Sequence, residues 1–137
     1  MDEAPVMTRL LAGDKGLSRL GDAFVNFAYS YAKTRAKGRP FGEKVPDSVL
    51  SKALELAKIP VPNRLHAGQR GDIVEALLAQ AWLGKRLTLD EAVDVLYTGL
   101  VRGSYESRAL ERELSARAFA DLIKLAKERL EGVNLGA

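Results

Sequence analysis

Between Gly13 and Gly38 the chain reads GDKGLSRLGDAFVNFAYSYAKTRAKG, and its bulky apolar residues return at intervals of three and four: Leu17, Leu20, Phe24, Phe27, Tyr31. That period places them along one side of a helix and is incompatible with the alternation of a strand. Asp14 is placed to cap the start and Gly38 to stop the end. The same period recurs along the chain. RPFGEKVP is a connector, then DSVLSKALELAKI, from Asp47 to Ile59, reads as a short amphipathic helix ended by the prolines of PVPN. RGDIVEALLAQAWLG is a strongly apolar helix closing at Gly84. TLDE, from Thr88 to Glu91, has the spacing of a capping box and opens a helix ending near Gly103. Ser104 is placed to open a long final helix closed by Gly132. With no repeat, no low-complexity tract and no alternating pattern, the expectation is one all-α domain over residues 1–137 with about six helices.

At 137 residues the chain is long enough to bury a core without staples. It has no cysteine, which excludes disulfides, thiolate metal sites and thiol catalysis. Its one histidine, His66, excludes a multi-histidine zinc site within the chain and reads as a surface or capping residue at a helix start. Any metal must be held mainly by oxygen, which favours magnesium or manganese. No segment is long and apolar enough to span a bilayer, so no membrane partner is expected. The start, MDEAPVMTRLLAG, is acidic and lacks a signal layout, so a cytoplasmic protein is the expectation. The net charge of +3 is unevenly placed: residues 15–70 hold 11 Lys and Arg against 4 Asp and Glu. That excess suits a phosphate-rich partner, and it equally suits an ordinary solvated helical surface.

Two helices carry acids where apolar residues are expected. Asp22 lies inside the apolar run of the first, with Ser18 and Asn26 one turn to either side. Asp72 and Glu75 stand three apart in GDIVEALLAQAWL and so project from one helical face, followed there by Ala76 and Ala79. If the two helices pack together, three carboxylates converge in an oxygen-rich pocket with room left by the alanines. Such a pocket suits a hard divalent ion, and with a basic middle section the matching substrate is a phosphodiester. The structural alternative pairs Asp22 with Arg19 or Arg70, puts Asp72 and Glu75 in a first helical turn or Asp72 at the cap, and gives the alanines to tight helix packing.

These residues also carry a resemblance. LSRLGDAFVNF resembles the signature helix of the ribonuclease III family, marked by Leu-Gly-Asp and an apolar continuation, and GDIVEALLAQAWL is similar to that family's second catalytic helix. The resemblance spans about residues 14–100, with 104–132 as an additional C-terminal helix, and is nearest in kind to short archaeal ribonuclease III-like proteins made of this domain alone. It implies a ribonuclease III-like helical endonuclease that cleaves double-stranded or structured RNA as a homodimer, with Mg2+ or Mn2+ as cofactor. Asp22 and Glu75 then match the metal-binding acids, Asp72 a catalytic acid acting through the metal's waters, and Ser18 and Asn26 neighbours around them. Gly21 matches the signature glycine, where the missing side chain permits close helix packing. Trp82 falls at a bulky core position.

The sequence departs from the family at three places. Ser18 stands where a metal-binding glutamate is usual, and Arg19 stands where the family inserts a bulky apolar residue into the partner subunit. Residues 104–137 are too few and too helical for the appended double-stranded-RNA-binding module of longer members. RNA affinity is then expected from Lys33, Arg35, Lys37, Arg39 and Lys44, which alternatively form a solvated helix end complementing its dipole. Recognition would read A-form shape and backbone rather than bases. Ser18 favours a second function, that of a catalytically weak or inactive dimer binding structured RNA or ribosomal particles. A third, a nucleoside triphosphate pyrophosphatase, lacks the denser acidic pairs that chemistry expects.

Overall fold

Helix α1, Lys15–Lys37, is bounded as its end residues dictate. The Asp14 carboxylate accepts the Leu17 N–H at 3.0 Å, and Gly38, in the left-handed region at φ 72°, donates its N–H to the Thr34 carbonyl. This computed structural model describes residues 13–62, 64–103 and 105–136, with side chains of the last helix described through 132. Within them the elements are α1, α2 (Asp47–Leu56), α3 (Ala67–Leu83), α4 (Leu89–Leu100) and α5 (Arg108–Gly136), and no strand. The fold is all-helical, with five described helices against the six or so expected.

Differences from expectation lie at the helix ends. Helix α2 stops at Leu56 rather than Ile59, because Lys58 turns left-handed at φ 59° ahead of the prolines. Helix α3 starts three residues before Arg70. His66 Nδ1 accepts the Gln69 N–H, while the Gln69 side chain accepts the His66 N–H, a reciprocal cap that gives His66 the capping role expected of it. Thr88 and Glu91 form the expected box at the start of α4, which ends at Leu100, short of Gly103. Ser104 lies outside the described residues; the final helix opens at Arg108, with the Ser107 hydroxyl accepting the Leu110 N–H, and runs past Gly132 to Gly136. Residues 1–12 also lie outside the described residues.

Helix α3 is the hub, lying against α1, α2 and α5, while α4 and α5 close the bundle around α1 and α2. Its residues from Ile73 to Ala79 are buried without interruption, as befits a helix enclosed on several sides. Ala76 and Ala79 are wholly inside, so the tight-packing reading of those alanines holds. Helix α1 divides the expected apolar stripe: Leu17 and Phe24 enter the core, whereas Leu20, Phe27 and Tyr31 are exposed. The buried face is instead built around Gly21, Val25, Ala28 and Ala32, whose small size lets α1 approach its neighbours. Trp82 is likewise not a core residue; it is partly exposed, with its ring 6.0 Å from Phe24. No described helix is long and apolar enough to cross a membrane.

Candidate acidic site between two crossing helices

The closest approach of α1 to α3 is backbone on backbone. A Cβ at Gly21 would lie 1.9 Å from the Glu75 carbonyl oxygen, so only glycine fits there. The next residue after Gly21 is Asp22, and the crossing brings its carboxylate within hydrogen-bonding reach of the Glu75 side chain. Glu75 is 7% exposed. Burial first, then hydrogen bonding to Asp22 and the charges of Asp22, Asp72 and Asp47, push its pKa up to about 8.

Asp22 is held from behind. The Asn26 amide donates to its Oδ1 at 3.1 Å, and Asn26 Oδ1 accepts the Val45 N–H at 2.7 Å, tying the acid to the connector before α2. Neither Arg19 nor Arg70 pairs with Asp22 among the described residues, so the ion-pair alternative does not apply; Arg70 even has its Nε buried without a hydrogen-bond partner. Asp72 lies on the second turn of α3, not at its cap, and is exposed. Ser18 does not face the acids with a free hydroxyl, since its Oγ donates back to the Lys15 carbonyl at 3.3 Å.

Asp47 is the acid that sequence reasoning missed. It opens α2 directly after Pro46 and reads as an ordinary helix-start acid, but the fold sets it against Gly68 and Gly71 of α3, where its charge reaches Glu75. Both glycines leave space that a Cβ would narrow: from the Gly71 position Asp47 Oδ1 is 3.3 Å away. The sequence signal available was Gly71 beside Asp72, and only the fold pairs it with Asp47.

Among the described residues no three His, Cys, Asp or Glu side chains are arranged to hold a metal ion in a ready-made cage. The acids nonetheless fit magnesium, which binds through one or two carboxylates and keeps most of its waters. A buried glutamate beside a second carboxylate, with no cationic side chain paired to it among the described residues, is an electrostatic deficit that such an ion would relieve.

The expected RNA-binding residues do not act alike. Lys33 is buried, its ammonium ion-paired with both Glu43 and Glu111, and these bonds outweigh burial to raise its pKa. Arg35 pairs with Asp94 at 2.8 Å and stacks on Tyr97, 4.3 Å from the ring centre. Lys37 lies over the rings of Phe41 and Tyr105, and Arg39 over Phe41. Lys44 is exposed and forms no ion pair among the described residues. Beside this group, Phe27 and Tyr31 line a groove of about 520 Å³ with Thr34 and Phe41.

No curated protein matches the chain. A family model described as Ribonuclease III matches residues 15–132, a span holding both crossing helices and the long C-terminal one. With the glycine-permitted contact of α1 and α3 and the acids it brings together, that match places the chain in the ribonuclease III family.

Proposed function

We propose that the protein is a divalent-cation-dependent endoribonuclease that hydrolyses phosphodiesters in double-stranded or structured RNA, working as a homodimer. Its family supports the endoribonuclease class. The observation that carries the finer reading is the Asp22–Glu75 pair, where a glutamate 7% exposed sits against a second acid with no positive side chain paired to it among the described residues. In this reading Asp22 and Glu75 hold Mg2+ or Mn2+, which when bound supplies an activated water and neutralises phosphoryl charge. Asp72, exposed and one turn from Glu75, orients water at the rim, and Asn26 fixes the direction of Asp22. Asp47 adds negative charge on the same side.

The homodimer reading is supported by α1. Leu20, Phe27 and Tyr31 line one exposed face of that helix, with Phe27 57% exposed, and this face borders the groove at Thr34 and Phe41. An apolar stripe of this kind on a signature helix suits a second copy of the chain. Arg19 lies at its edge and is exposed.

The deciding experiment is cleavage of an RNA duplex in magnesium by the chain and by Glu75→Gln. The substitution is expected to lower the rate on the order of 100-fold or more, because a glutamine amide cannot give up a proton and hold the ion as a carboxylate does. Full activity in Glu75→Gln overturns the reading. A second reading, a dimer that binds structured RNA without cutting it, is favoured by Ser18, whose hydroxyl is turned onto its own helix. Duplex binding that persists in chelator, with no product in magnesium or manganese, selects it.

A further inference from the structure

A cavity of about 330 Å³ lies between α1, the connector before α2 and the start of α5. Lys44, Arg108 and Arg112 stand around it, and among the described residues none of the three is ion-paired. On the same wall Lys33, 3% exposed, binds both Glu43 and Glu111, so the two acids of the cavity are held by a buried lysine and keep one negative charge between them against the three other cations. The remaining formal charge of the lining is positive. Deeper in, the hydroxyls of Tyr29 and Ser115 bond each other at 2.9 Å.

The placement of the arginines adds to this. Arg108 is the first residue of α5 and Arg112 lies one turn on, where the helix dipole is positive and disfavours cations. Two unpaired arginines beside a third cation, at the end of a helix that repels them, are stabilised when an anion sits between them. The volume is at the lower end for ligand sites, room for a phosphate and its sugar and too little for stacked base pairs.

The cavity also backs onto the acidic site. Val45 and Pro46 line it, the Val45 N–H is bonded to Asn26, and Asp47 follows at once. Lys44 and Asp47 are three residues apart, so their Cα atoms are separated by at most about 11 Å.

We infer that this cavity is a phosphate-binding pocket, in which Arg108, Arg112 and Lys44 take a phosphate group of an RNA strand a short way along from the one held at the acidic site. The RNA as source of that phosphate rests on the endoribonuclease reading. The phosphate chemistry itself does not, and a free nucleotide presents the same group.

The test uses the full chain in chelator, so that binding is read without cleavage. A labelled RNA duplex is titrated by fluorescence anisotropy across 50 to 200 mM salt (a range of about fourfold), and inorganic phosphate and adenosine 5′-monophosphate are titrated by calorimetry. The double variant Arg108→Gln/Arg112→Gln is expected to bind duplex about tenfold more weakly at low salt, with the salt slope reduced by about 1. Lys124→Gln, an exposed cation further along α5, is expected to change neither. Since both arginines are exposed and stand at a helix start that disfavours cations, a thermal transition no lower than that of the wild type accompanies the loss. Loss of phosphate and nucleotide binding with duplex binding intact supports the pocket and assigns it to a free nucleotide. Wild-type duplex affinity and salt slope together with wild-type phosphate binding in the double variant overturn it. A wild-type chain that never cuts RNA in magnesium, yet loses duplex affinity in the double variant, leaves the pocket standing and removes the nuclease reading instead.

Discussion

A glutamic acid with its pKa near 8 makes folding depend on pH in an unusual direction. Between its ordinary value of 4.5 and about 8, folded Glu75 keeps a proton that the unfolded chain has released. Stability from this group is therefore complete below 4.5 and is lost as pH rises through 8. In metal-free buffer the melting temperature is expected to fall from pH 5 to pH 8.5, and Glu75→Gln to flatten that fall. Magnesium should raise the transition more at pH 8.5 than at pH 5, because the ion and the proton compete for one carboxylate. Differential scanning calorimetry at the two pH values checks both. Gly21 sets the same site sterically. Gly21→Ala puts a methyl group into the Glu75 carbonyl, so α1 must move away, at a cost of about 3 kcal/mol in a denaturant titration and with loss of cleavage. Much of this was legible: Asp22, Asp72 and Glu75 stand out by residue type and spacing, and the close-packing role of Gly21 is implied by the resemblance to the ribonuclease III family. Asp47 did not, because an acid after a proline has a sufficient local reason to be there, and its second role depends on a helix that starts twenty residues later.

At the level of elements, the chain announces its helices more clearly than their ends. Thr88 and Glu91 carry a familiar pair of capping side chains, and the helix begins where they predict. Helix α3 starts three residues before Arg70, directly after the cap at His66, whose ring nitrogen does what a serine or aspartate oxygen usually does. The shift matters, since it moves Asp72 from the helix start to the second turn. For α2 and α5, the ends differ from the sequence reading at Lys58, whose left-handed backbone stops α2 early, and at Gly132, through which the last helix continues. The box at Thr88 supplies a direct check. Thr88→Ala removes the acceptor of the Glu91 N–H and is expected to cost about 1 kcal/mol of stability, read from the urea midpoint, with cleavage unaffected.

Across the whole molecule the division of α1 is the feature that sequence could not resolve. Spacing puts Leu20, Phe27 and Tyr31 with Leu17 and Phe24 on one side, but only three-dimensional packing decides which rows meet α3 and α4 and which remain outside. If the outer row is a self-association surface, Phe27→Glu is expected to yield a monomer by light scattering with an unaltered helical circular dichroism spectrum, since Phe27 contributes little to the core. A dimer that survives the charge places the contact elsewhere.

The meeting of Gly21 with the Glu75 carbonyl has one more consequence. Where peptide planes abut, the gap between the segments is fixed by atoms every residue shares, so neighbouring core positions can drift without retuning it. That gap is then set most directly at Gly21, a position with no side chain at all.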